Sequence, residues 1–434
     1  MTAIYGVAGN PIFGSRSPVM FNSAFRELAL NATYVRLAAS SAAEIMTTAR
    51  DAGIEGLNIT APFKTEIMDH LDGIDGDAQD AGAVNTIVRG PGGFIGFNTD
   101  LAGVAAALDA AGFGPFGKKA VVLGAGGAGR AAALALVRAG ARVVIANRTL
   151  ERARDAAARI GCEAASLDGL SRAMAGAGLL VSAVSSGERV VAPALLDPHL
   201  FVLDAVYGRP TVLSVDAAKR GCTVIDGREW LLGQAAPAFG LFLKRPAPLT
   251  LMRNALWKTR RDGRRNIALI GFPASGKSAV GEELAKRSGL SFIDIDGEIE
   301  RKTGASIAEI FAGKGEEAFR RMEQEEIDGI RLATRTIFAC GGGALERRSN
   351  YRTLRNNCIS VWLWAGLTTV MERARGQTGR PLLDGAGVEA AGDLLNRRLS
   401  GYAACADLGI STEGKGPDKC AERIWDEVNF AFND

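Results

Sequence analysis

Lys277 and Lys64 occupy the two places in this chain where a lysine could do chemistry. Lys277 lies in Gly271-Phe-Pro-Ala-Ser-Gly276-Lys277-Ser278, a Gly-x-x-x-x-Gly-Lys-Ser run between the apolar stretch Asn266-Ile-Ala-Leu-Ile and an amphipathic helix. The order strand, glycine-rich loop, helix points successive backbone N–H groups and a helix N-terminus at an anion. The lysine then reaches the outer phosphates of a nucleotide and the Ser278 hydroxyl sits on Mg²⁺. Ala274, Ser275, Gly276, Lys277, Ser278 and Ala279 are the candidate contacts. Such loops follow the first strand of their domain, so a nucleotide-binding domain begins near Asn266.

Lys64 ends Gly56-Leu-Asn58-Ile-Thr60-Ala-Pro62-Phe-Lys64, an apolar strand running into Asn and Thr. The pattern recurs in Gly82-Ala-Val-Asn85-Thr86 and Gly96-Phe-Asn98-Thr99-Asp100. Short amides and hydroxyls at three strand ends, beside one Lys and one Asp, suit a small polyhydroxylated substrate. Ser15 and Ser17, in the loop Gly9–Pro18 after the first strand, are placed to meet a polar ligand too. With only His70 and His199 in the chain, acid–base chemistry falls to Lys, Asp or Glu.

A second nucleotide signature lies between these lysines. Lys119–Leu123 runs through Gly124-Ala-Gly126-Gly127-Ala128-Gly129 into an Ala/Leu-rich helix, the Gly-x-Gly-x-x-Gly order of a dinucleotide fold. After the next strand, Arg142–Ala146, an NAD-type site would carry Asp or Glu for the ribose hydroxyl. The chain has Asn147-Arg148-Thr149-Leu-Glu-Arg152. Two guanidiniums there favour a 2′-phosphate through charge-assisted bonds of about 1.5–3 kcal/mol each, so NADPH is expected over NADH.

The elements that must hold these residues exceed one core. At 434 residues, 47% hydrophobic and 23% charged, with net charge +3, the chain reads as two or more ordinary globular domains without a nucleic-acid surface. Six cysteines without Cys-x-x-Cys argue for reduced thiols and against a zinc site. No apolar run approaches the roughly 20 residues of a membrane span, and Met1-Thr-Ala-Ile-Tyr-Gly lacks a signal-peptide layout. A soluble, cytoplasmic monomer or homodimer acting on small molecules, with neither nucleic acid nor membrane as partner, is expected. Lys258–Arg265, charged with a central glycine, reads as an exposed linker between halves that fold independently.

With these motifs in order, residues 4–257 resemble shikimate dehydrogenase: Ser-x-Ser-Pro, Asn58-Ile-Thr60-Ala-Pro62-Phe-Lys64, Gly-Ala-Val-Asn-Thr, Asn-Thr-Asp, Asn-Arg-Thr, Asp204-Ala-Val-Tyr207 and Gln234-Ala-Ala-Pro-Ala-Phe239. The resemblance implies that Ser15, Ser17, Asn58, Thr60, Lys64, Asn85, Asp100, Tyr207 and Gln234 hold the substrate, with Lys64 and Asp100 the catalytic pair. The chemistry agrees, since reducing a ketone needs hydride on carbon and a proton on oxygen, which a lysine ammonium paired to a carboxylate can supply. Gly14 and Phe21 stand where the family usually has His.

Residues 266–434 resemble shikimate kinase through the phosphate loop, Asp294-Ile-Asp296, Phe319-Arg320, Cys340-Gly341-Gly342-Gly343, Arg373 to Arg380, and Arg398-Leu-Ser-Gly-Tyr402. That resemblance gives Lys277, Ser278 and Asp294 to ATP and Mg²⁺, and Asp296 to the attacking hydroxyl. It gives Arg320, Gly342 and Arg398 to the acid substrate, and Arg373 and Arg380 to ATP, Arg380 stabilising the transferring phosphoryl group. Pro273, where the family has another residue, brings no N–H to the phosphates.

The expected architecture is α/β throughout. It comprises a substrate domain over about 1–101 plus helices over about 234–257, a Rossmann NADP domain over about 102–233, a linker at 258–265 and a P-loop kinase domain at 266–434. The implied function is NADPH-dependent reduction of 3-dehydroshikimate followed by ATP-dependent phosphorylation of shikimate. Alternatives are a quinate/shikimate dehydrogenase joined to a related small-molecule kinase, and a catalytically silent ligand sensor.

Overall fold

A computed structural model describes residues 2–184, 187–258, 263–375 and 387–432. The chain opens with strand β1 (Ala3–Gly9), a helix Ser17–Glu27, strand β2 (Ala32–Ala38) and a helix Ala42–Asp51. Ser41 caps this last helix by accepting from the Glu44 N–H, which satisfies one of the donors that a helix start leaves open.

Residues 56–258 with 19–24 form one compact unit. A small mixed sheet in it orders β3 (Ile54–Ile59), β5 (Thr86–Gly90), β6 (Gly93–Phe97) and β4 (Gly73–Ile74) as β3-β5-β6-β4. The helix Asp100–Ala110 then leads to β7 (Lys119–Leu123), β8 (Arg142–Asn147), β9 (Glu163–Ser166), β10 (Ala177–Ser182), β11 (Phe201–Asp204) and β12 (Thr223–Ile225). These run parallel in the order β12-β11-β10-β7-β8-β9. Strands such as Ala120–Leu123 are wholly buried because helices cover a parallel sheet on both faces. The helix Gly227–Leu243 returns to pack on Asp100–Ala110, carrying Gln234 to the end of β6.

From Asn266 the chain belongs to the other unit, which also contains residues 1–18 and 25–55. Its strands are β13 (Asn266–Ile270), β14 (Ser291–Asp294), β15 (Thr336–Ala339), β16 (Cys358–Trp364) and β17 (Leu408–Ser411), ordered β14-β15-β13-β16-β17-β2-β1. The compact units thus divide the chain differently from the sequence-based halves at 257 and 266. The reason is an edge: β2 pairs in parallel with β17, Gly409 opposite Leu37 and Ile410 opposite Ala38. An unpaired strand edge offers a row of open N–H and C=O groups, and here each edge closes the other.

Polar ties flank the strand pair. Lys415 Nζ meets Glu44 Oε1 at 2.5 Å, Arg423 donates to the Ala39 carbonyl, and Arg264 pairs with Asp407 at 2.7 Å. Arg265 donates to the Ala431 carbonyl. Within the stretch expected to be an exposed linker, Lys258 and Gly263 are exposed, while Arg264 and Arg265 are partly buried because their forks find carboxylate and carbonyl partners. Residues 259–262 of it lie outside the described residues. Among the described residues no helix is long and apolar enough to cross a membrane.

A side chain at Gly409 would meet Leu37 Cδ2 at 2.7 Å and Trp362 Cε3 at 3.5 Å. Gly409→Val is expected to lower the unfolding midpoint, at an overpacking cost of about 1–3 kcal/mol. An unchanged midpoint in a thermal melt would show that β2 and β17 are not paired in solution.

Candidate active site

Two clusters of chemistry-bearing residues emerge, one in each unit. In the unit of residues 56–258, Lys64 Nζ lies 2.5 Å from Asp100 Oδ2, the side chains only 13% and 7% exposed. Asp100 begins its helix, and the Asn98 side chain accepts from its N–H at 3.0 Å while donating to Ala83 O at 2.7 Å. Asn98 thus fixes the carboxylate through the backbone, a role sequence reading missed although Asn98 stood within a quoted motif.

The strand-end amides form one network. Asn58 Nδ2 donates to Thr86 Oγ1 at 2.9 Å, Asn85 Nδ2 to Thr99 Oγ1 at 2.9 Å, and Asn85 Oδ1 accepts from the Thr99 N–H at 2.7 Å. Thr99 Oγ1 lies 3.3 Å from Gln234 Oε1, and Gln234 Nε2 donates to Leu231 O. Asn58, Asn85 and Gln234 are 5%, 1% and 6% exposed, so they form a rigid polar wall rather than a solvated rim. Thr60 is half-buried at the end of β3, and Tyr207 half-buried in the loop after β11. Phe21 is fully buried with its ring 6.0 Å from Phe239 and 5.9 Å from Phe242, so that departure from the family pattern became core packing.

The dinucleotide loop stands against this lysine. A Cβ on Gly127, the first residue of the helix Gly127–Arg138, would lie 2.6 Å from Lys64 Cβ, and one on Gly129 would lie 1.8 Å from Gly124 O. Only glycine permits both approaches, and they hold the helix N-terminus beside the Lys64–Asp100 pair. The loop is fastened at its far side by Ala125 N–H to Asn147 Oδ1, and Asn147 Nδ2 donates to Thr149 O. Arg148, just past β8, and Arg152, in the following helix Leu150–Ile160, are exposed, and Ala128 is half-buried within the helix start.

In the other unit, a cavity of about 950 Å³ is lined by the phosphate loop and by Asp294, Asp296, Arg320, Gly342, Arg373 and Arg398. Lys277 Nζ donates to Gly271 O at 3.0 Å and Phe272 O at 2.9 Å, which holds it across the loop's mouth. Ser278 Oγ meets Asp294 Oδ2 at 2.5 Å, and Asp294 caps the next helix through Gly297 N–H. Ala274 has φ +62°, an uncommon conformation for a residue with a Cβ. Arg373 donates to Thr412 Oγ1 at 3.0 Å and Thr412 O at 2.8 Å, and Thr412 Oγ1 donates to Ser275 O at 3.3 Å. Ser275 is fully buried, and Ala279 lies exposed in the helix's first turn. Arg380 lies outside the described residues.

The wall that carries Arg320 and Arg398 is built on glycines. Side chains on Gly341, Gly342 and Gly343 would collide with Glu323 Oε1 at 2.3 Å, Pro273 Cδ at 2.5 Å and Arg320 Nη2 at 2.3 Å respectively. Arg320 Nη1 donates to Glu323 Oε2 at 2.9 Å and Arg398 Nε to Glu346 Oε1 at 2.7 Å. Arg398 Nη1, Asp296 Oδ1 and Glu323 Oε1 are buried without a hydrogen-bond partner. A donor and acceptors left open around one cavity are what a ligand with both carboxylate and hydroxyls would satisfy. Glu323, fully buried, was not singled out from the sequence; its spacing three residues after Arg320 was the available signal.

On the loop after β1, Ser17 is 3% exposed at the start of its helix, and Ser15 is half-buried, its Oγ accepting from Ser17 N–H at 3.4 Å.

Residues 7–87 match the family model described as shikimate dehydrogenase substrate binding domain, 110–201 that of shikimate / quinate 5-dehydrogenase, and 273–429 that of shikimate kinase. A shikimate dehydrogenase (NADP(+)) of Halobacterium salinarum is 44% identical over 262 residues, covering 58% of this chain and 98% of that protein. One from Methanopyrus kandleri is 39% identical over 277 residues, covering 59% and 95%. Among solved structures, shikimate dehydrogenase from Aquifex aeolicus gives TM-score 0.56 at 31% identity, covering 59% of this chain and 98% of that one. The Thermus thermophilus enzyme, solved with NADP(H) and shikimate, gives 0.53 at 34%, covering 58% and 98%.

Burial pushes the Asp296 carboxyl up to about 7, helped by Glu323 and Asp294 and opposed by Lys277 and Arg320. It is therefore a carboxylate above about pH 7 and carries a proton below. A carbon-13 titration should show that midpoint, and Glu323→Gln, which removes a like charge, should move it down. A midpoint in the ordinary carboxylate range in both proteins would refute the coupling.

Proposed function

We propose residue roles for a chain that belongs to the shikimate dehydrogenase family and carries a shikimate kinase domain behind it. It is a bifunctional enzyme of the shikimate pathway, an NADP-dependent shikimate dehydrogenase and an ATP-dependent shikimate kinase. The working direction is reduction of 3-dehydroshikimate, then phosphorylation of the shikimate formed. By function the chain divides at 258–265, with residues 1–257 serving the first reaction and 266–434 the second.

The observation that carries the first reaction is the buried Lys64–Asp100 pair against Gly127 of the dinucleotide loop. NADPH supplies hydride when bound, and Arg148 and Arg152 fit its 2′-phosphate as exposed cations past β8. The Lys64 ammonium gives its proton to the carbonyl oxygen as that becomes a hydroxyl. Asp100 holds Lys64 in place through their 2.5 Å ion pair. Asn58, Thr60, Asn85, Tyr207 and Gln234, with Ser15 and Ser17, bind the ring hydroxyls and carboxylate.

For the second reaction, Arg320 and Arg398 hold the shikimate carboxylate beside Gly342, and Asp296 orients and polarises the attacking hydroxyl. Lys277, Arg373 and Arg380 meet the ATP phosphates, since phosphoryl transfer asks mainly for positioning and charge neutralisation. Ser278 Oγ and Asp294 Oδ2, 2.5 Å apart at the cavity, are oxygen donors that fit Mg²⁺, which would neutralise phosphate charge there.

Lys64→Ala is expected to lower 3-dehydroshikimate reduction by about 10²–10⁴-fold while phosphorylation of added shikimate continues. A variant that keeps most of its reductase turnover would remove Lys64 from the mechanism. Arg148→Ala should weaken NADPH by about ten- to a hundred-fold and leave NADH nearly unchanged. Wild-type preference for NADH would overturn the 2′-phosphate reading.

A further inference from the structure

The loop that carries Ser15 and Ser17 is held by residues from the far end of the chain. Ile12 N–H and Phe13 N–H both donate to Glu427 Oε2 at 2.8 Å. Glu427 is 2% exposed: Oε2 accepts both bonds, and Oε1 is buried without a hydrogen-bond partner. It sits near the end of the helix Pro417–Val428, whose first turn lines the nucleotide cavity through Pro417 and Cys420.

The hold passes to the serines through the backbone. Ile12 O accepts from Ser15 N–H at 2.9 Å, and Ser15 Oγ accepts from Ser17 N–H at 3.4 Å. Arg36 adds a second clamp, donating to Ser15 O at 3.0 and 2.7 Å and to Asp407 O at 3.2 Å. Phe13 packs edge-on against Phe430 with ring centres 5.6 Å apart. A carboxylate accepting two adjacent buried N–H groups is a charge-assisted clamp, and without it both donors would be unsatisfied.

We propose that Glu427, a residue of the kinase half, is a positioning residue for the dehydrogenase reaction: it sets the loop from which Ser15 and Ser17 meet the dehydrogenase substrate. The assignment rests on the reading that these serines bind that substrate. Because they make ground-state contacts, loosening them raises KM more than it lowers kcat.

The test uses the full-length chain. Glu427→Ala should raise the reductase KM for 3-dehydroshikimate about ten-fold with kcat changed little, and leave both kinase constants within about two-fold. Glu427→Gln, which keeps an acceptor oxygen of the same reach, should recover most of the loss and guards against a folding defect in the alanine variant. In a Ser15→Ala/Ser17→Ala background, Glu427→Ala should add almost nothing to KM, whereas a merely structural role would add its full effect. If the serine variant raises KM and Glu427→Ala does not, or if the two effects multiply, the positioning role is wrong. If the serine variant leaves KM unchanged, the serines do not bind substrate and the proposal falls with that reading.

Discussion

The pairing of β2 with β17 is the constraint on which one compact unit depends. Two edge strands widely separated in sequence close one another, and the apolar residues behind them, Leu37 and Ile410 at 5% and 1% exposure, are shielded by the same event. Burying such side chains stabilises by about 1.5–3 kcal/mol each, more than surface ion pairs such as Arg287–Glu422 contribute. The polar ties at Lys415, Arg423, Arg264 and Glu427 then fix register rather than supply the main stability.

Both sites use glycine to bring charged groups and backbone together. Gly127 lets the dinucleotide helix stand against Lys64, and Gly341 to Gly343 let a wall of carboxylates and guanidiniums close on the kinase cavity. The two chemistries differ in what those walls leave open. The dehydrogenase amides Asn58 and Asn85 are engaged with the Thr86 and Thr99 hydroxyls, so their geometry is set before substrate arrives. The kinase wall keeps Asp296 Oδ1, Glu323 Oε1 and Arg398 Nη1 without partners, polarity held in reserve for a ligand.

Much of this was legible in the sequence because it is local. A phosphate loop, a dinucleotide loop and strand ends carrying Asn, Thr, Lys and Asp are defined by spacings of a few residues, and Lys277 lies across its loop as that spacing implies, whereas the meeting of Lys64 with Asp100, 36 residues on, was expected from the family resemblance. What could not be read depends on long-range packing. Arg264 looked like part of a solvated linker, yet it closes on Asp407, a partner that only the sheet order brings near. Glu427 lies in an ordinary amphipathic helix, and nothing in its neighbours signals the Ile12 and Phe13 N–H groups it accepts from. Glu323 and Asn98 stood beside residues already singled out, but their roles are set by three-dimensional approach to Gly341 and to the start of the Asp100 helix.

The central claim is that one chain carries two consecutive reactions. It is tested most directly by following NADPH oxidation with 3-dehydroshikimate and then adding ATP and Mg²⁺ to the same purified protein. The account predicts NADPH-dependent formation of shikimate alone, and its conversion to shikimate 3-phosphate, one ATP consumed per NADPH oxidised, once ATP is present. Oxidation without any phosphorylated product, or no NADPH oxidation at all, would contradict it.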